Sequence, residues 1–404
     1  MGGYIMKKRF TSIVLAAILA AGTLNACGGS NTASTTAAAT EATTAAATEA
    51  MTEAATTAAA TEAATTEAET TEAATEAAKE VESLDFENMS TDELKAYAAA
   101  IPFDDTEVRV GSLKGPTTIG LLHLEEDAAN DSSLGKFTFD MQTQPDAIVS
   151  AIAGGNLDIA LVPANLASVL YNKTKGGISV IDINTLGVIY CLSADDSVKS
   201  VKDLSGKTVI TTGQGATPEY ALNYLLEKNG VTDCNVTFAS ESTEVVSKMA
   251  EDSSIIAMLP QPFATVAAKK NQAYHEAFSY TDAWNEVTTD GSQFLTGVTI
   301  VRNDFLKEHE ADVAHFVALQ AASAKMAIED ADSTAELAAK YGIVEKKEAI
   351  LPAIPKCGMT CLTDETMKTA LSGYLQTLFD ANPKAIGGTL PGDDFYYSVS
   401  DFKG

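Results

Sequence analysis

Four short segments set small, polar and helix-opening residues where a ligand could be held. They are Lys114 to Thr118, Pro163 to Asn165, Gly213 to Thr217 and Pro260 to Pro262. Each follows an apolar run and precedes a helical pattern. The first amides of a helix are unpaired donors backed by partial positive charge, so such a turn can hold a small anion or polar acceptor without a cationic side chain. Glycine lets the main chain come close, and threonine adds a hydroxyl. The candidate ligand contacts are therefore Lys114, Gly115, Thr117, Thr118, Asn165, Gln214, Gly215, Ala216, Thr217 and Gln261, together with Gly187 from a segment between the turns.

Three readings compete for these turns. Thr217 as N-cap with Pro218 at the first helical position would suit any helix start. A phosphate cradle is disfavoured, because no Gly-Lys-Ser/Thr closes either glycine-bearing loop and neither has G-x-G-x-x-G spacing. A ligand anchor gains from the recurrence of four such turns at corresponding places. Lys114, the lone basic side chain among them, is either an anion partner or a solvated rim lysine. Trp284, the only tryptophan, either stacks on a planar ligand or packs, and the same choice holds for Phe263 and Tyr220. Gln261 lies between two prolines that would fix its direction.

No catalytic set stands out. G-x-S-x-G, H-E-x-x-H and a nucleophile beside a base are all missing, so an enzyme is not expected and no cofactor is implied. The four histidines (His123, His275, His309, His315) cluster with neither cysteine pair, so no metal site is expected. Cys357 and Cys361 are the one close pair; a local bridge and two free thiols both remain open.

The elements that must position the turns begin at about Glu107. "VRVGSL", "FTFDMQT" and "LDIALVP" read as strands alternating with helices "GPTTIGLLHL", "PDAIVSAIAGG" and "ANLASVLYNKT". The pattern repeats with strands "KTVITTG", "VTFAS" and "IIAMLP" and helices opened by "TPEY", "TEVV" and "QPFA". Alternation of this kind argues for βαβ units and a mostly parallel sheet. Two blocks thus stand in tandem. "ISVIDINTLGVIYCLS" is too long for one ordinary strand, and "FLTGVTIVRNDF" is a further strand-like run after the second block. If both cross between lobes they form a hinge, and everything from Asp304 onward reads as helical. An earlier helix is opened by the capping-box pattern "STDE".

The chain ahead of these blocks sets the compartment. Lys7, Lys8 and Arg9, then "IVLAAILAAG", then "LNAC" ending at Cys27 have the order of a secretory leader, and a start at Met6 would leave a more typical one. From Ser30 to about Glu82 the sequence is nearly all Thr, Ala and Glu, with too little apolar surface to offset its ordering entropy. As a flexible tether of roughly 50 residues it would span about 40 Å. The net charge of −28 argues against a nucleic-acid partner.

Several stretches carry a family resemblance. "VKSVKDLSGKTVITTGQGATPEYALNYLLEKNG", "GNLDIALVPANLASVLYNK", "AMLPQPFATVA" and the end "ANPKAIGGTLPGDDFYY" are similar to substrate-binding proteins of ABC importers in the nitrate/sulfonate/taurine and thiamine-pyrimidine group. "LNAC" resembles a lipobox, which implies lipid anchoring at Cys27. The resemblance implies an α/β, two-lobed periplasmic-binding-protein fold with two crossover hinge strands and a helical C-terminal region. Its expected divisions are residues 1–26 signal peptide, 27–82 tether, 83–193 first part of lobe one, 194–296 lobe two and 297–404 the rest of lobe one. It also implies a monomer that delivers a small-molecule solute to ABC permease and ATPase subunits from outside the cytoplasm. Threonine, glutamine and asparagine outnumber arginine at the turns, which points to a neutral or weakly anionic organic solute. Two other readings stand beside it: an enzyme of the thiamine-pyrimidine-synthase-like fold, whose cysteine-rich iron site has no counterpart here, and a surface sensor or adhesin.

Overall fold

The computed structural model describes residues 85–104 and 106–402. The chain divides into Met1–Glu76 and Ala77–Gly404, and the described residues all belong to the second unit. The leader, Cys27 and the tether lie outside them.

Lobe one opens with α1 (Thr91–Ala100), β1 (Glu107–Leu113), α2 (Pro116–Ile119), α3 (Leu122–Asn130), β2 (Lys136–Gln142), α4 (Pro145–Ala153), β3 (Ile159–Pro163), α5 (Ala164–Thr174) and β4 (Ile178–Leu186). Lobe two follows with β5 (Ile189–Ser193), β6 (Thr208–Thr211), α6 (Thr217–Lys228), β7 (Asn235–Phe238), α7 (Ser242–Glu251), β8 (Ile256–Pro260), α8 (Phe263–Lys270), β9 (His275–Ser279) and α9 (Tyr280–Val287). The chain then returns through β10 (Leu295–Arg302), α10 (Asn303–Glu308), α11 (Glu310–Glu329), α12 (Ala331–Lys340), α13 (Lys347–Ile350), β11 (Met359–Leu362) and α14 (Asp364–Ala381).

One sheet has the order β11-β4-β10-β3-β1-β2 and the other β7-β6-β8-β5-β9. Both repeat one scheme, in which the lobe's second, first and third strands lie side by side and a strand arriving from the other lobe is inserted before the fourth. Four strands of each sheet share one direction, as the expectation of a mostly parallel sheet requires, and the inserted strand runs against them. β1 pairs in parallel with β2 and β3, and β6 with β7 and β8, but β10 and β5 run antiparallel to both their neighbours. The reason is directional: a crossing strand starts at the edge of the sheet where the parallel strands end.

Local chemistry accounts for the element boundaries. Ser90 and Glu93 form a reciprocal capping box at α1. Proline occupies the first turn of α2, α4 and α6, where its missing N–H costs nothing. β3 is buried at four consecutive positions, as a strand covered on both faces must be. The helical reading of the C-terminal region needs correction, because β11 pairs antiparallel with β4 and covers its otherwise open edge.

Cys191, Cys234, Cys357 and Cys361 are free thiols. Cys357 Sγ faces the Ala353 carbonyl at 3.2 Å, and Cys361 Sγ faces that of Val317 at 4.0 Å. Burial raises the Cys357 thiol to about 12 and Cys191 and Cys361 also upward, whereas Cys234 is only half-buried. A thiol-specific reagent applied to the native protein should therefore label Cys234 first among these four. Peptide mapping that finds Cys191 or Cys361 labelled as fast would contradict this packing. Among the described residues no helix is long and apolar enough to cross a membrane.

Candidate functional site

The parallel strands of both sheets end facing one cavity of about 290 Å³. Lobe one contributes Leu113 to Thr117 after β1 and Pro163 and Asn165 at the start of α5. Lobe two contributes Thr211, Thr212, Thr217 and Pro218 around the start of α6, and Met258 and Pro260 from β8. Val188 and Ile189 on the first crossing and Phe294 to Thr296 on the second close its floor. Ligands of α/β sheets bind beyond the carboxyl ends of strands, and this crevice has that position in two sheets at once. A separate cavity of about 450 Å³ on the outside of lobe one touches none of the four turns.

Of the sequence candidates, Lys114, Gly115, Thr117, Asn165 and Thr217 are brought to this cavity together. Gly115 has φ 145°, a left-handed value open to glycine, which swings the chain from β1 into α2. Lys114 is exposed and makes no ion pair among the described residues; its side chain is the one charged group on the wall. Thr117 Oγ1 donates to the Leu113 carbonyl at 3.0 Å, and Asn165 Nδ2 donates to the Ala385 carbonyl at 3.2 Å. The hydroxyl of Tyr374 lies beside Thr217, and burial pushes that phenol upward. Thr217 is the first helical residue, with Ala216 in the cap position.

The remaining candidates sit elsewhere, each for a visible reason. Thr118 Oγ1 is spent on the Leu113 carbonyl and lies 2.9 Å from Ser112 Oγ. Gln214, Gly215 and Ala216 form an exposed loop tip, where the Gly215 N–H donates to Glu219 Oε2 and its carbonyl accepts from the Tyr220 hydroxyl. Gln261 is 1% exposed. Its Oε1 accepts from Thr265 Oγ1 at 2.8 Å and its Nε2 donates to Glu276 Oε1 at 3.2 Å, so the side chain is turned into lobe two. Gly187 lies on the first crossing, where a Cβ would come within 2.4 Å of Phe294 and of Thr281 Oγ1. It permits close packing of the two crossing segments.

Sequence reasoning missed the apolar walls Val188, Ile189, Met258, Phe294 and Leu295. Met258 lies inside β8 and the other four on the two crossings between the lobes, so their common wall follows only from the assembled fold. Trp284 is fully buried away from the cavity, which settles it as a packing residue. Phe263 faces a neighbouring groove of about 570 Å³ that meets the main cavity at Lys114 and Gly115. Across the lobes, Lys356 pairs with Glu276 at 2.5 Å and Asn382 Nδ2 donates to the Tyr220 hydroxyl at 2.7 Å.

Residues 142–334 match the NMT1/THI5 like family model. Among solved structures, an ABC transporter protein from Parabacteroides distasonis is 21% identical, with a TM-score of 0.62 over 72% of this chain and 99% of that one. The periplasmic aliphatic sulphonate binding protein SsuA from Escherichia coli is 13% identical, with a TM-score of 0.57 over 74% of this chain and 94% of that one. The alkanesulfonate-binding protein SsuA from Xanthomonas axonopodis pv. citri, bound to MOPS, is 12% identical, with a TM-score of 0.50 over 71% of this chain and 94% of that one. No curated protein sequence matches the chain. The chain is thus built on the two-lobed α/β fold of periplasmic binding proteins, with an NMT1/THI5-like domain at residues 142–334.

Proposed function

We propose that the protein is the solute-binding component of an ABC importer, working outside the cytoplasm and held at the membrane by a lipid on Cys27. It captures one small organic solute between its lobes as a monomer and presents it to a permease and its ATPase. The solute has an apolar body and is neutral or carries one negative charge, as a sulfonate, taurine or a thiamine-pyrimidine precursor would. The observation that carries this reading is the shared cavity, in which Lys114 is the one charged side chain and no carboxylate lines the wall. At about 290 Å³ it lies near the lower end of the roughly 300–1,000 Å³ typical of small-molecule sites.

Mechanistically, a solute touching both lobes binds the closed arrangement more tightly than the open one and shifts the population toward it. Thr117, Asn165 and Thr217 supply polar edges, while Met258 and Phe294 supply apolar surface. The test is a thermal-shift panel of alkanesulfonates, taurine, pyrimidines and carboxylates, because a ligand that binds only the folded state raises the melting temperature. For an anionic hit, Lys114→Gln should weaken binding about 10- to 100-fold, the loss of one charge-assisted hydrogen bond. The variant should melt like the parent without ligand, since the Lys114 side chain has no ion-pair partner among the described residues to lose. An anionic hit bound equally well by both proteins would put the solute elsewhere, and conversion of the hit to a product would favour the enzyme reading.

A further inference from the structure

We propose that Asp104, His309 and Asp312 form a binding site for one divalent transition-metal cation, at the end of lobe one remote from the cleft. Asp104 lies in the link between α1 and β1, His309 is the cap residue of α11, and Asp312 stands in its first turn. β1 begins at Glu107 beside this cluster and ends at Leu113 in the cleft, so the two sites lie at opposite ends of one strand.

The donor geometry suits a shared ion. His309 Nδ1 is 3.7 Å from Asp312 Oδ2 and 3.9 Å from Asp104 Oδ2, and the three ligand atoms lie within 4.8 Å of one another. These gaps are too long for hydrogen bonds. They match two ligands on one ion, because bonds of about 2.0–2.2 Å place bound atoms up to roughly 4.4 Å apart. Thr106 Oγ1, 3.4 Å from His309 Nδ1, borders the same space.

The independent observation is the state of Asp312. It is 2% exposed, and its Oδ2 has no hydrogen-bond partner among the described residues. The backbone amides of Thr106 and Asp104 face the carboxylate. The nearest candidate cation for this buried carboxylate oxygen is the His309 ring, 3.7 Å away and charged only when protonated, so a neutral His309 leaves the oxygen without a positive partner. A dication supplies one. The α11 N-terminus itself favours anions, so the cation is held by the two carboxylates and the ring rather than by the helix. One nitrogen and two oxygen donors select a borderline ion such as Zn²⁺ or Co²⁺ over thiolate-seeking metals. Arg109 and Arg302 nearby are already paired with Asp158 and Asp304. Asp104 is 205 positions from His309, which is why the sequence led to no metal site.

The bound ion would staple the α1–β1 link to α11. The test uses the full chain freed of metal with a chelator, then titrated with ZnCl₂ by calorimetry and followed by thermal melts. One equivalent should bind, and the melting temperature should climb with zinc concentration. Asp312→Asn should weaken zinc at least tenfold and abolish the rise, yet still unfold cooperatively when chelator is present, because asparagine keeps the shape of the carboxylate and the acceptor that the backbone amides face. With Co²⁺ as probe, visible absorption should develop in the parent and be lost in both Asp312→Asn and His309→Gln. Absence of stoichiometric zinc binding in the parent, or equal binding in Asp312→Asn, overturns the site.

Discussion

Trp284→Ala is expected to lower the unfolding free energy by about 3–5 kcal/mol, the range for deleting a large buried aromatic side chain. The residue is fully buried. Its ring centroid lies 4.6 Å from that of Tyr224 on α6, 5.9 Å from Tyr374 on α14 and 6.0 Å from Phe294 on the second crossing. Its Nε1 donates to Ser292 Oγ at 3.1 Å, also on that crossing. Three separate segments therefore meet on one side chain, itself carried by α9. Truncation leaves a hole that rigid rings on three sides cannot collapse to fill, and it strips a buried serine of its donor. Because α14 packs on both β4 and α6, the damage reaches both lobes. Urea unfolding gives the measure: the midpoint should fall with little change in slope. Trp284→Phe should recover most of the loss, since it restores ring packing and forfeits only the hydrogen bond. A loss below about 1 kcal/mol in the alanine variant would mean that this cluster does not join the lobes.

The same cluster shows where sequence reading stops. Strands such as Ile159–Pro163 and Ile256–Pro260 are legible because unbroken apolar runs end in proline or glycine. The four turns are legible for the same reason, as punctuation between two periodicities. β9 is not, because "HEAFS" is short, polar at its start and only partly buried at four of its five positions. That omission propagates to the site. Glu276 on β9 is the partner that turns Gln261 inward, so without β9 the side chain reads as a cleft contact. β11 fails similarly, since its pairing with β4 is interrupted and joins residues about 175 positions apart. Backbone direction at a turn follows from local residue types; side-chain direction follows from whichever distant group completes the hydrogen bond. Thr118 and Gly215 illustrate this as plainly as Gln261, each having its polar groups taken up by nearby partners.

Asp182→Asn is expected to remove most of a pH dependence of stability that the parent carries between about pH 4 and pH 7. Asp182 lies on β4, between β11 and β10 in the lobe-one sheet, and is fully buried. Its Oδ1 accepts from Thr299 Oγ1 at 2.8 Å and from Gln320 Nε2 at 3.0 Å, while Oδ2 has no partner. Burial raises the carboxyl from 3.8 to about 7, although the hydrogen bonds from Thr299 and Gln320 pull the other way. In this window the folded protein holds a proton that the unfolded chain has released, so stability falls as pH rises. The contribution is complete below the unfolded value and lost once pH passes the folded one. A span of roughly three pH units at about 1.4 kcal/mol each gives a parent change on the order of 4 kcal/mol. Asparagine retains the oxygen that Thr299 and Gln320 address and cannot ionise. The two proteins should therefore be similar near pH 4.5, and the variant should become the more stable as the pH approaches 8. Paired urea titrations at pH 5, 6, 7 and 8 read the difference directly; parallel curves across that range would show that the Asp182 carboxyl ionises inside the fold as freely as it does in water.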